Sequence, residues 1–142
     1  MIKRIAKTED FDELVNIRIR AMKPSLEKIG RFDKTRATER FRKSFLPELT
    51  TVFVEDEKIL GFYMLTIEKD RIFLNHLYID VIYQGCGIGT NLLNEIKEIA
   101  RKKNMVIELE ALKESPSNSF YLSNGFIKIG ESDFDNAYQW NC

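Results

Sequence analysis

LYIDVIYQGCGIGTNLL, residues 77–93, is the stretch on which the reading of the whole chain turns. Gly85, Gly87 and Gly89 stand at alternate positions in a chain with only seven glycines. An apolar run precedes them and a helical pattern follows. Glycine tolerates left-handed backbone and lets a chain pass close to something bulky. A strand that ends in glycines and reopens as a helix exposes successive N–H groups at the positive end of a helix dipole, which favours an anion such as a pyrophosphate. The plainer alternative is a turn that packs a helix closely on a strand. Two nucleotide motifs fail: no Lys follows the glycines as a P-loop requires, and the third glycine of a dinucleotide fingerprint would fall on Thr90 or Leu92.

Working outward, the helix after the glycines carries Ile88, Leu92, Leu93, Ile96, Ile99 and Ala100 on one stripe, with Asn91, Asn94, Glu95, Lys97 and Glu98 opposite. Before it lie three strand patterns, TVFVE, ILGFYMLTIE and IFLNHLYID, joined by the short polar turns Glu55–Lys58 and Glu68–Arg71. That close spacing predicts an antiparallel meander. Upstream, Ile2–Ala6 alternates as a short strand, and Thr8 is the candidate cap of a helix with Phe11, Leu14, Val15 and Arg18 at helical spacing. A second helical region runs from about Pro24 to Phe45, broken near Gly30, with Asp33 as the cap of its second half and Ala37, Phe41 and Phe45 on its apolar face. Downstream, Met105–Leu112 is a strand. Ser115 as N-cap, Pro116 at the first helical position and Gly125 past the end mark a short helix, and FIKIG and AYQWN are two last strands. The order β-α-α-β-β-β-α-β-α-β-β is mixed α/β, not a doubly wound repeat.

The 142 residues suit one domain. Twenty-two basic residues balance twenty-two acidic ones, so no global charge steers the chain toward nucleic acid or an anionic membrane. The N-terminus shows no secretory signal, and no apolar run approaches the ~18 residues of a membrane span. Cys86 and Cys142 form no disulfide framework, which fits a reduced, cytoplasmic protein. One His and two distant Cys do not make a zinc site, so no metal is expected.

Two segments together resemble the acetyl-CoA signature of the GNAT superfamily of N-acetyltransferases. There the loop reads Q/R-x-x-G-x-G/A after a strand ending in an aliphatic residue, and Gln84, Gly87, Gly89 and Ile79 take those positions. LEALKESPSNSFYLSNGF, residues 109–126, resembles the family's L-E-V…N-P…Y-x-x-x-G-F segment through Leu109, Glu110, Pro116, Tyr121, Gly125 and Phe126. Ser115 stands where the family usually has Asn. The resemblance implies a mixed, mostly antiparallel central sheet of about seven strands flanked by about four helices. It also implies that acetyl-CoA is the co-substrate, held by Tyr78, Ile79, Gln84, Gly85, Cys86, Gly87, Ile88, Gly89 and Thr90 with Ser115 and Ser117, and that the acceptor is a small-molecule or peptide amine. A monomer or homodimer is expected.

Acetyl transfer needs a neutral amine, a stabilised oxyanion and a proton for the leaving thiolate. Tyr121, matching the family's tyrosine, is the candidate donor. Glu110 is the candidate base, on a strand face shared with Glu108, Val106 and Leu112; an acid on a mostly apolar strand is expected to be raised in pKa. His76 sits mid-strand, where a lone histidine is packed more often than catalytic. Asn75 points to the opposite face and is a candidate to line the cleft. Cys86 has no base near it in sequence, which argues against an acyl-cysteine. Arg31, Phe32 and Asp33, just past the helix break, are candidates for the acceptor site. A non-catalytic acyl-CoA-binding module on the same fold is the alternative function.

Overall fold

The computed structural model describes residues 1–142. Its elements are β1 (Ile2–Ile5), α1 (Phe11–Lys28), α2 (Lys34–Ser44), β2 (Thr50–Glu55), β3 (Lys58–Ile67), β4 (Arg71–Ile79), α3 (Ile88–Lys103), β5 (Val106–Leu112), α4 (Pro116–Ser123), β6 (Ile127–Glu131) and β7 (Asp135–Trp140). The seven strands form one sheet in the order β1-β2-β3-β4-β5-β7-β6. β1 and β2, β2 and β3, β5 and β7, and β7 and β6 pair antiparallel, while β4 and β5 run parallel from Arg71 opposite Val106. The mixed, mostly antiparallel seven-strand sheet with four helices is the architecture the sequence predicts. No helix is long and apolar enough to cross a membrane.

Local chemistry sets the element ends. Asp56 and Glu57 both adopt left-handed φ, as a two-residue hairpin turn between β2 and β3 requires. α1 ends with Gly30 at φ +70, where the Gly30 N–H reaches the Glu27 carbonyl at 3.0 Å and the Arg31 N–H reaches that of Leu26 at 2.8 Å. This is the paired closure in which a glycine past the helix end satisfies orphan carbonyls. Asp33 then caps α2, its Oδ1 accepting the Arg36 N–H at 3.0 Å.

Three local expectations are corrected. Thr8 does not cap α1: it opens a 3-10 turn, Thr8–Asp10, and the Asp10 carboxylate accepts the Lys7 N–H at 2.7 Å while pairing with Arg4 at 2.8 Å. Arg4 pulls the Asp10 carboxyl below its usual range, so the stronger acceptor takes the turn. Pro24 does not begin a second helix either: it lies inside α1, which continues to Lys28. A proline there removes one N–H and crowds the carbonyl four residues back, and the buried stripe Leu14, Val15, Ile17 and Ile19 holds the preceding turns. Finally, Lys97 is buried instead of solvated, and Ile99 is only half-buried.

Two compact units divide the chain: Met1–Met64 with His76–Gly89, and Leu65–Asn75 with Thr90–Cys142. The first has a core of Leu14, Val15, Ile17, Ala37, Phe41, Val52, Ile59 and Phe62. Phe41 is its centre, with ring centroids 5.6 Å from Phe11, 5.3 Å from Phe45, 5.8 Å from Phe62 and 5.1 Å from His76. The second buries Leu92, Leu93, Ile96 and Ala100 of α3 and Ile107, Leu109 and Ala111 of β5. There the Lys97 ammonium donates to the Asn124 carbonyl and lies 5.3 Å from the Trp140 ring centroid, so its burial is compensated.

In the first unit, β3 lies close against the end of β4 at Gly61. A Cβ there would stand 2.6 Å from the Tyr78 carbonyl oxygen and 2.8 Å from Ile79 Cδ1. The nearer obstacle is the Tyr78 backbone, which cannot rotate away as the Ile79 side chain can. Gly61→Ala should therefore cost about 1–3 kcal/mol of stability, the range for overpacking, read as a lower urea midpoint. A midpoint equal to the parent's would show that the strands part freely at this point.

Candidate active site

The end of β4 is held from three sides. The Asp80 N–H donates to the Leu60 carbonyl at 2.9 Å, and the Asp80 carbonyl accepts the Tyr83 N–H at 2.8 Å, closing the turn Val81–Tyr83. The Asp80 carboxylate, 8% exposed, takes a forked contact from Arg20 of α1, with Nε to Oδ1 at 3.1 Å and a terminal nitrogen to Oδ2 at 2.8 Å. The Gln84 side chain folds back, its Nε2 donating to the Ile79 carbonyl at 3.0 Å.

Only then does the backbone open. Gly85 and Gly87 adopt φ +81 and +82, and a Cβ at either would meet nothing within 4 Å. Both glycines are therefore required by backbone angle, not by crowding. Gly85, Cys86 and Gly87 are exposed, and their N–H groups have no partner within the protein. α3 starts at Ile88, with Gly89 and Thr90 in its first turn, where helical N–H groups are also unpaired. These donors stand at the start of a long helix, a layout whose dipole and free N–H groups suit an anion. Between Asp80 and Ile96 there is no Lys or Arg, so this segment offers no cationic side chain beside its backbone N–H groups. Cys86 is exposed, its sulfur 3.9 Å from the Gln84 carbonyl.

Tyr78, half-buried, faces α1: its hydroxyl donates to the Met22 sulfur at 3.2 Å, and the Arg18 guanidinium carbon lies 5.9 Å from its ring centroid. Of the three residues past the helix break, Asp33 caps α2, Phe32 packs on the core with Lys23 Nζ 5.4 Å from its ring centroid, and Arg31 donates its backbone N–H to close α1. His76 is 8% exposed. Its Nε2 lies 3.1 Å from Ser44 Oγ, its Nδ1 is buried without a hydrogen bond, and Phe41, Phe62 and Tyr78 surround the ring. Burial, and then the positive charge of Arg18, push its pKa down to about 4. His76 is thus a neutral core residue.

In the second unit, Asn75 accepts the Thr66 hydroxyl at 2.7 Å. On β5 the even-numbered face is not the apolar one: Ile107, Leu109 and Ala111 are buried, Val106, Glu108 and Leu112 are half-buried, and Glu110 is exposed. The expected enclosure of these acids is therefore corrected. The Glu108 carboxyl lies below its usual range because Arg71 contacts it at 2.7 Å, helped by Gln139 at 2.8 Å. Ser115 holds the N-cap position of α4 but makes no side-chain cap; its hydroxyl lies 2.6 Å from that of Ser117. Asn118, which the sequence reading overlooked, organises this end. Its Oδ1 accepts the Tyr138 hydroxyl at 2.7 Å and the Asn136 amide at 3.0 Å, and its Nδ2 donates to the Leu112 carbonyl at 2.8 Å. Tyr121, 7% exposed, packs against Phe120, Phe126 and Tyr138.

The family model for an acetyltransferase (GNAT) domain matches residues 21–140. The chain belongs to the GNAT acetyltransferase family. A PaiA N-acetyltransferase from Thermoplasma acidophilum, solved in complex with coenzyme A, is 22% identical with a TM-score of 0.82, covering 99% of this chain and 98% of that one. The ribosomal-protein-S18-alanine N-acetyltransferase from Escherichia coli is 18% identical with a TM-score of 0.72, covering 98% and 92%. Ard1 from Thermoplasma volcanium is 20% identical with a TM-score of 0.66, covering 97% and 93%. At these identities the likeness is one of fold. No curated protein matches the chain. In this GNAT chain the loop that the sequence resemblance marks is the one whose N–H groups stand unpaired.

The state of His76 yields a stability prediction. The unfolded chain takes a proton near pH 6.5 and the folded one only near 4. Between those values the unfolded state binds more protons, so stability is full above 6.5 and falls as pH drops through this window. The loss between pH 7 and pH 5 should be about 2 kcal/mol smaller in His76→Phe than in the parent, measured by urea unfolding at both pH values. Parallel losses in the two proteins would mean that His76 protonates normally in the fold.

Proposed function

We propose that this chain is a single N-acetyltransferase domain that moves an acetyl group from acetyl-CoA to a primary amine by direct attack. The observation that carries the reading is the set of unpartnered N–H groups at Gly85, Cys86 and Gly87, held at the start of α3 in a chain of the GNAT family. The coenzyme A complex of the Thermoplasma acidophilum neighbour supports the choice of anion. Backbone dipoles neutralise the pyrophosphate, and the left-handed glycines keep side chains out of its way.

The neutral amine attacks the thioester carbonyl. A tetrahedral oxyanion forms, then collapses with cleavage of the carbon–sulfur bond. The attacking nitrogen, positively charged in that intermediate, loses a proton to Glu110, directly or through water, and Tyr121 gives its phenolic proton to the departing thiolate. The products are a neutral amide and the free thiol, and solvent carries the proton from Glu110 back to Tyr121. The exposure of Glu110 supports a base in contact with solvent. The buried, neutral His76, with a pKa near 4, is a poor proton acceptor by comparison. Cys86 has no neighbouring base, which supports direct transfer over an acyl-enzyme.

Acetyl-CoA at 100 times its Kd should stabilise the fold by about 2.7 kcal/mol. Gly87→Val should abolish that gain while the free protein stays folded, with a strain cost of about 1–3 kcal/mol for left-handed backbone. A gain that survives the change would put the cofactor elsewhere. Tyr121→Phe keeps the ring and removes the proton. It should lower kcat about 10²–10⁴-fold with little change in acetyl-CoA binding. Unchanged kcat, with chemistry rate-limiting, would dismiss Tyr121 as the acid. Binding of acetyl-CoA without thiol release across a broad amine panel would identify a non-catalytic acyl-CoA-binding module.

A further inference from the structure

We infer that the amine acceptor carries a carboxylate, and that Arg18 of α1 is the residue that reads it. The inference rests on the acetyltransferase reading and adds the substrate class. Arg18 is half-buried and has no acidic partner, whereas Arg4, Arg20, Arg42, Arg71 and Arg101 each contact a carboxylate within 4 Å. Its Nε is buried with no hydrogen bond, and one terminal nitrogen reaches the Ala37 carbonyl at a long 3.4 Å. Burying a guanidinium without an anion is costly.

A second donor beside it is equally under-used. Met22 is one helical turn from Arg18 on α1, so both project from one face. The Tyr78 hydroxyl, whose ring also meets Arg18, donates to the Met22 sulfur at 3.2 Å. A thioether is a weak acceptor for a phenol. A carboxylate at this face would accept from both groups. The place is right for an acceptor: Tyr78 is followed by Ile79, whose carbonyl holds the Gln84 side chain that opens the glycine loop.

The charge of this stretch of sequence agrees. Residues 18–43 hold ten Lys and Arg against three Asp and Glu, in a chain whose total is zero. Of those three acids, Asp33 caps α2 and Glu39 pairs with Arg42. Such a surplus draws anions. A phosphate of the cofactor is the other source of an anion. The glycine loop, however, meets phosphate through backbone N–H groups from a segment without cations, so the α1–α2 cations are left for the acceptor.

The test pairs amino acids with their decarboxylated amines: leucine with isoamylamine, phenylalanine with phenethylamine, lysine with cadaverine. Thiol release from acetyl-CoA should favour the amino acid of each pair in kcat/KM. Arg18→Gln should shrink that preference about tenfold to a hundredfold, the range for losing a hydrogen bond to a charged group, and Arg18→Lys, keeping the stem and the charge, should restore part of it. Turnover of the decarboxylated amines alone, or a preference untouched by Arg18→Gln in a folded protein, overturns the inference and leaves the acetyltransferase standing. A rise confined to the KM for acetyl-CoA assigns Arg18 to a cofactor phosphate and overturns it too. No thiol release with any amine, together with no stabilisation by acetyl-CoA, overturns both readings.

Discussion

The forked contact between Arg20 and Asp80 is the constraint on which the placement of the glycine loop depends. A loop that binds an anion through its backbone needs glycines, and glycines give the loop no stiffness of their own. Rigidity must come from the flanks. On the N-terminal side Asp80 supplies it, using its N–H, its carbonyl and both carboxylate oxygens within one residue. The carboxylate is almost fully buried, so loss of Arg20 would leave a poorly compensated charge at the strand end. Half of the Arg20 side chain remains exposed, and water tempers the strength of the pair. Its larger value is geometric: it fixes the direction in which β4 hands the chain to the turn. Gly61 serves the same end by letting β3 lie against the Tyr78 carbonyl.

The short α4 shows the same division of labour in the second unit. Eight residues are too few to hold a helix by backbone bonding alone. Ser115, placed where a capping side chain is expected, bonds to another serine instead. Asn118 supplies the anchorage, tying the first turn of α4 back to the end of β5 and across to two side chains of β7. Tyr121 lies one turn further on and inherits its position from that anchor. Lys97 secures the opposite end through the Asn124 carbonyl.

What the sequence made legible was what a few consecutive residues decide. Gly30, Asp33, the Asp56–Glu57 turn, Pro116 and Gly125 each mark an end through their own backbone or side-chain chemistry, and the structure uses them so. The element order and the glycine loop were readable for the same reason. Pro24 misled because a proline suits the first turn of a helix and is also tolerated inside one that tertiary packing sustains. Lys97 and the face of β5 misled because burial there is set by partners far along the chain. Asn124 lies 27 residues from Lys97, and Arg71 lies 37 from Glu108. The Arg20–Asp80 contact spans 60 residues, and no local pattern announces it.

Charge distribution links the two halves of the chemistry. Transfer requires the amine to be neutral, while an ordinary alkylamine has a pKa near 10.4 and is almost wholly protonated at pH 7. Nearby positive charge disfavours the ammonium and lowers that pKa. The cation surplus of residues 18–43 would therefore act twice on a carboxylate-bearing amine. It would draw the molecule in by its anionic end, and it would loosen the proton at its reactive end. A diamine gains only the second effect and is repelled by the field that produces it. On the proposed reading the anionic cofactor would need no share of these side chains, because the glycine loop would answer its phosphates with dipoles. A chain with zero net charge could in this way keep a basic segment for one substrate and an uncharged loop for the other.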